Sequence, residues 1–171
     1  LCLDGSSTHP RYEKGVPEQC HGIFLAAAEG DHIENVLCEN LRIENFGGDG
    51  IAVGRGCRNI RIRDITLRNF LRQGIQLAGS EDARDYLVTG VQDLEGDVQA
   101  GGSTIHVEHA RGLTGVVLTG NHCRRSILAG GVDGLIIRDN VVTGRIVGNG
   151  NLNCIVQGNI VRSNDGIRLV Y

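Results

Sequence analysis

The chain has 171 residues, of which 40% are hydrophobic and only 4% aromatic, so its core must be built from aliphatic side chains. Its length suits one domain, residues 1–171, taken either as the whole protein or as a segment of a longer chain. The formal net charge of −3 argues against a general nucleic-acid binder, and no apolar run is long enough to span a membrane.

A short phrase centred on Ile recurs along the chain, and in four of its seven copies Gly directly precedes the Ile. It begins at residues 21, 49, 73, 103, 126, 145 and 165, where it reads HGIFL, DGIAV, QGIQL, STIHV, SILAG, RIVG and DGIRLV. Alternate residues are aliphatic, which predicts short β-strands with one buried face. The predicted inward residues are Ile23, Leu25, Ile51, Val53, Ile75, Leu77, Ile105, Val107, Ile167 and Leu169. Intervals of 19 to 30 residues are too short for crossover helices, so we expect a solenoid.

A second phrase lies between these strands and carries a recurrent Asn or Asp. It reads ENLRIENF, RDITLRNF, GNHCRRS, DNVVTG and GNIVRSN. Its polar residues are Asn40, Asp64, Asn121, Asn140 and Asn159. We expect them at corners, where Asn tolerates a left-handed backbone and can hydrogen-bond to the neighbouring coils.

These phrases resemble the right-handed parallel β-helix superfamily, the pectate-lyase-like fold. The stretches that carry the resemblance are HGIFL, ENVLCENLRIENFGGDGIAVG, NIRIRDITLRNFLRQGIQLAG and GLIIRDNVVTG. The resemblance implies an all-β, single-stranded right-handed parallel β-helix (solenoid) of about seven coils. That superfamily includes lyases, glycoside hydrolases, uronan epimerases, phage tailspikes, adhesins and scaffolds.

The outward residues of the stacked phrases form the candidate site. We expect the loops Gly79–Tyr86 and Gln92–Ser103 to border it, and the later coils, 126–171, to be structural. The predicted catalytic residues are Asp49, Arg72, His106 and Glu108. The predicted substrate-binding residues are His21, Gln73, Gln76 and Arg125.

Two reactions on a polysaccharide remain open. Glycoside hydrolysis needs two carboxyl groups, and Asp49 and Glu108, two coils apart, are expected at about 10 Å. β-Elimination needs a base, His106 or His21, and a group such as Arg72 to neutralise a uronate carboxylate. In both cases the substrate is a polysaccharide, and an acidic one is favoured.

A non-catalytic interpretation competes with the enzyme. Polar residues cover any soluble rod, and Asp49 before Gly is also a common turn residue. The paired Asp, GHG and RIK motifs of polygalacturonase-like hydrolases and the DPHD motif of alginate epimerases are absent in that form. The alternative is a tailspike-like, adhesin-like or scaffold rod that binds glycan or protein.

No cofactor is assigned from the sequence. In HVEH, His106 and Glu108 share a strand face while His109 does not, so a metal site is not expected. Calcium in the acidic stretch Asp93–Asp97 has only weak support. Open solenoid ends expose strand edges, so we expect a homo-oligomer or further capping domains. The favoured location is secreted or on a cell or virion surface, where Cys2 and Cys20 could form a disulfide.

Overall fold

The computed structural model describes residues 1–5, 20–80, 82–94, 102–108 and 110–170. Over these residues the protein is all-β, with parallel strands in two sheets and no helix. The strands are β1 (Cys2–Asp4), β2 (Ile23–Leu25), β3 (Ile33–Phe46), β4 (Ile51–Val53), β5 (Cys57–Phe70), β6 (Ile75–Ala78), β7 (Arg84–Thr89), β8 (Gln92–Asp93), β9 (Ile105–Glu108), β10 (Thr114–Thr119), β11 (His122–Cys123), β12 (Ile127–Gly130), β13 (Asp133–Arg138), β14 (Val141–Val142), β15 (Ile146–Asn149), β16 (Ile155–Gln157), β17 (Ile160–Val161) and β18 (Ile167–Val170).

The seven repeated phrases each supply one strand of a seven-stranded parallel sheet. Its order is β18-β15-β12-β9-β6-β4-β2, so every phrase pairs with the next one along the chain. The predicted inward residues of β4, β6 and β9 are no more than 1% exposed. In β18, which forms one edge of the sheet, Ile167 and Leu169 are 46% and 42% exposed.

The glycine of the repeated phrase has a steric cause. A Cβ placed on Gly22, Gly50 or Gly74 would lie 2.6 Å from the backbone carbonyl oxygen of the aligned residue in the next repeat. That separation is shorter than a carbon and an oxygen tolerate, so a side chain there would push the coils apart. Close stacking of the backbones therefore requires glycine at these three positions.

The second sheet has eleven strands and is strongly curled, because its long strands β3 and β5 each turn through corners. The first part of β5 pairs with β7 and its later part with β8. Asn45 and Asn69, with φ of 64° and 51°, form one corner in β3 and β5, and two longer columns of residues with positive φ, between 48° and 74°, form two further corners. They are Asn35, Asn59, Asp85, Gly115, Gly134 and Asn153 in one column, and Asn40, Asp64, Gly90, Gly120, Asp139 and Gly158 in the other. Asn, Asp and Gly occupy them because other side chains clash in this conformation.

The recurrent polar residues of the second phrase occupy two columns, so the expectation that all of them lie at corners is wrong for three of the five. Asn40 and Asp64 are corner residues, with φ of 53° and 55°. Asn121, Asn140 and Asn159 lie one position after the corner, in register with the aliphatic Val91. In those coils the corner residue is Gly120, Asp139 or Gly158, and the Asn that follows it faces inward.

Asn121, Asn140 and Asn159 form an inward-facing asparagine ladder. The Nδ2 of Asn121 donates to the Oδ1 of Asn140, and the Nδ2 of Asn140 to the Oδ1 of Asn159, both at 2.9 Å. Each Nδ2 also donates to a backbone carbonyl, and the backbone N–H groups of Asn121 and Asn140 donate to the next Oδ1. The ladder therefore satisfies polar groups that the coils would otherwise bury without partners.

One loop is shorter than the sequence predicts. The expected loop covers Gly79–Tyr86, but strand β7 begins at Arg84. Tyr86 is 1% exposed, and its hydroxyl donates to the carbonyl oxygen of Cys57 at 3.2 Å and lies 3.4 Å from that of Ala78. The segment DYLVT has the alternation of a strand, but the charged residues around position 82 favoured a loop in the sequence analysis.

All six cysteines are free thiols, including Cys2 and Cys20.

Candidate functional site

The outer face of the seven-stranded sheet carries the candidate site. Strand register aligns one residue from each strand in a column on this face. The column contains Phe24, Ala52, Gln76, His106, Leu128, Val147 and Arg168. Two open grooves lie on this face, and Glu108 lines both of them.

The larger groove has a volume of about 630 Å³ and a basic lining. Arg111, Arg145 and Arg168 line it together with His106 and Glu108. The Nη1 of Arg145 lies 3.7 Å from the Oδ2 of Asp165, and both side chains are more than half exposed. Such an exposed pair holds Arg145 only weakly, so its guanidinium remains available to an anionic ligand.

Gln76, His106 and Glu108 come together where the two grooves meet. The Nε2 of Gln76 donates to the Oε2 of Glu108 at 2.9 Å. The Nδ1 of His106 lies 3.8 Å from the same oxygen. His106 and Glu108 are two residues apart on β9 and therefore share a face, while Gln76 pairs with His106 from β6. The structure thus gathers three of the eight predicted site residues at one point.

The smaller groove has a volume of about 290 Å³. Its lining residues are His21, Phe24, Ala52, Val53, Gly54, Arg72, Gln76, Ala78 and Glu108. The rings of His21 and Phe24 stack, with centroids 5.4 Å apart and an interplanar angle of 22°.

Asp49 lies beneath the smaller groove, with 0% of its surface exposed. Its Oδ1 accepts the backbone N–H of Gln73 at 2.8 Å and lies 3.9 Å from the Nε of Arg72. Its own backbone N–H donates to the Nδ1 of His21 at 3.1 Å, so the neutral ring carries its proton on Nε2. The Oδ2 of Asp49 is 3.2 Å from the same nitrogen. Asp49 therefore positions His21 and Arg72 from below.

Gln73 and Arg125 line neither of these grooves. The Oε1 of Gln73 accepts both the backbone N–H and the hydroxyl of Ser103 at 2.7 Å, which ties two coils together. The guanidinium of Arg125 lies 3.9 Å from the ring centroid of Phe70. Burial lowers the pKa of Arg125 from its usual value. Both residues therefore have structural contacts, and their predicted contact with substrate stays a prediction.

Sequence reasoning missed a buried polar cluster around Asp93, which is 5% exposed. The hydroxyl of Thr104 donates to the Oδ2 of Asp93, and the backbone N–H of Arg125 donates to the Thr104 hydroxyl at 3.1 Å. Burial raises the pKa of Asp93, while Thr104 and the charges of Arg125 and Arg124 oppose the shift. From the sequence Asp93 was expected in a loop, whereas the strand register of the structure aligns it with the inward residue Leu67.

Sequence reasoning also passed over Arg111 and Arg145, and it treated the coils of residues 126–171 as structural. These arginines precede strands β10 and β15, so strand periodicity does not report their direction. Of the residues considered for metal binding, Glu95, Asp97 and His109 lie outside the described residues. Within the described ranges no three His, Cys, Asp or Glu side chains are grouped to hold a metal ion.

Comparisons with protein-family models, curated proteins and solved structures find no match for this chain. Among the residues that the structure describes, no helix is long and apolar enough to cross a membrane.

Proposed function

We infer that the chain is a right-handed parallel β-helix of seven coils, related to the pectate-lyase-like superfamily. The seven-stranded sheet supports this, because each repeated phrase pairs with the next and returns through the curled sheet. Crossovers between parallel strands of one sheet are right-handed in nearly all proteins, which supports the handedness. In such a fold, a linear ligand along the stack meets one residue from each coil.

We propose that the protein binds an acidic polysaccharide along the outer face of the seven-stranded sheet. The observation that carries the proposal is the open groove of about 630 Å³ lined by Arg111, Arg145 and Arg168. Guanidinium groups hold carboxylates through paired hydrogen bonds, and an open groove accommodates a linear chain.

β-Elimination is the reaction that this groove supports best. His106 takes the proton from the carbon beside a uronate carboxylate, and that electron pair forms a carbon–carbon double bond. The bond to the glycosidic oxygen breaks, and the departing oxygen takes up a proton from water. An arginine neutralises the charge that develops on the carboxylate, and Glu108, with Oε2 3.8 Å from Nδ1 of His106, stabilises the protonated imidazole.

Hydrolysis has less support, because it needs two carboxyl groups that reach the bond. Of the described residues that line the two grooves, Glu108 alone carries a carboxylate, and Asp49 is fully buried.

The second candidate is a non-catalytic rod that binds glycan or protein. It is favoured by exposed apolar side chains at one end of the stack, among them Leu152, Ile155 and Ile160, since such patches often contact other proteins.

The test is incubation of the purified chain with polyuronates and neutral glucans, following ultraviolet absorbance of unsaturated sugars and new reducing ends. We expect both signals on an acidic polymer. His106→Ala should abolish them, whereas His122→Ala, an exposed histidine of the curled sheet, should not. Reducing ends without absorbance would indicate hydrolysis, and binding without product would indicate the non-catalytic rod.

A further inference from the structure

We propose that the smaller groove is a subsite for a neutral sugar ring, in which Phe24 stacks on the apolar face of a pyranose. The inference rests on the proposed function and narrows it to polysaccharides that contain both neutral and acidic residues. The acidic residues would occupy the arginine-lined groove and the neutral residue the groove beside Phe24.

Phe24 is an exposed and supported aromatic ring. It is 63% exposed, in contrast to Phe70, which is 1% exposed in the core. His21 stacks against the Phe24 ring, and the backbone N–H of Asp49 holds the Nδ1 of His21 at 3.1 Å. The fully buried Asp49 thus holds His21 through its backbone, and His21 in turn supports one side of the solvent-facing ring. Such a ring offers a large apolar surface with little entropy left to lose on binding.

The surroundings of Phe24 have the size and polarity of a sugar subsite. In strand register, Ala52 lies beside Phe24, and Gln76 lies beside Ala52. The small Ala52, Gly54 and Ala78 leave room over the sheet. The hydrogen-bonded pair of Gln76 and Glu108 lies at the far side and can exchange hydrogen bonds with hydroxyl groups. A pyranose matches this arrangement, because it has an apolar C–H face and a polar edge.

The two grooves differ in charge, which assigns the neutral residue to the smaller one. Arg72 is the one arginine among the described residues that line the smaller groove, and its Nε lies 3.9 Å from the buried Asp49. The larger groove has three arginines. Phe24 and His106 are three strand spacings apart, about 14 Å, so the stacked ring contributes to binding at a distance from the proposed base.

The test compares the affinities of wild-type protein, Phe24→Ala, Phe24→Tyr and Leu37→Ala for three polymers. Leu37 is a matched control, since it is 51% exposed on the curled sheet. The probes are polygalacturonate, hyaluronan and dextran, which contain uronate only, uronate alternating with a neutral sugar, and neutral sugar only.

We expect the wild type to bind hyaluronan most tightly. Phe24→Ala should weaken that binding about three- to tenfold, in line with one aromatic contact, and the loss should persist at high salt because stacking is not screened. Phe24→Tyr and Leu37→Ala should bind like the wild type. If Phe24→Ala and Leu37→Ala bind alike, or if only polygalacturonate binding falls, the subsite is wrong while the acidic-glycan proposal stands. If the wild type binds none of the polymers, the proposed function itself fails.

Discussion

At the scale of single residues, Asp93 is the carboxylate whose environment is most informative. It lies in the interior with Thr104 as a hydrogen-bond donor and Cys123 as a fully buried neighbour in the next coil. Burial raises the pKa of Asp93 and of the Cys123 thiol. A buried carboxylate with a raised pKa favours its neutral form, so ionisation of Asp93 at neutral pH lowers stability.

Asp93→Asn should therefore stabilise the protein at neutral pH relative to the wild type. The unfolded chain loses the Asp93 proton near pH 4, whereas the folded chain keeps it to a higher pH. In that window the wild type loses stability as pH rises, and the variant does not, because Asn is neutral and still accepts the Thr104 hydroxyl. The free energy of unfolding from urea titrations, measured from pH 4 to pH 8, gives the difference.

The control is Asp31→Asn, which changes an exposed carboxylate. It should leave the pH dependence of stability as it is in the wild type. An Asp93→Asn protein that is less stable than the wild type at pH 8, with the gap narrowing towards pH 4, would show that the ionised carboxylate stabilises the fold.

At the scale of elements, the asparagine ladder connects three consecutive coils. Asn140→Ala removes four hydrogen bonds, two accepted by Oδ1 from Asn121 and two donated by Nδ2 to Leu118 and Asn159. It leaves donors and acceptors buried without partners, so the free energy of unfolding should fall by about 2–4 kcal/mol. Gln157→Ala removes an exposed amide from β16 and should change it by no more than about 0.5 kcal/mol. Equal effects in chemical denaturation would mean that the ladder adds nothing.

The strands were predictable where Gly, Ile and strict alternation coincide. The phrase at Gly50 shows why, since its glycine is required by the close approach of Gly74 and its alternation by a one-sided core. Strand β7 was concealed by the charged residues beside it. Every Asn or Asp of the second phrase was expected at a corner, because sequence spacing does not report which residue takes the positive φ. Asn is suited to both positions, and the distinction depends on the Gly or Asp that precedes it.

At the scale of the whole molecule, the stack of coils brings distant residues into one groove. Gln76, His106 and Glu108 were predictable as neighbours, because all three lie on outward positions of aligned strands. Arg111 and Arg145 were not, since they precede their strands and their direction depends on turn geometry. The same limit applied to Asp49, whose place beneath the groove results from its contacts with His21 and Gln73.

The measurement that tests the central claim most directly is the affinity of the purified chain for an acidic polysaccharide, comparing the double variant Arg145→Gln, Arg168→Gln with the wild type. The control is Arg61→Gln, Arg138→Gln, which changes the net charge equally but alters exposed arginines of the curled sheet. We predict that the groove variant binds at least about tenfold more weakly, since two charge-assisted contacts are lost, and that the control binds like the wild type. Equal affinities for the two double variants would contradict binding in the groove.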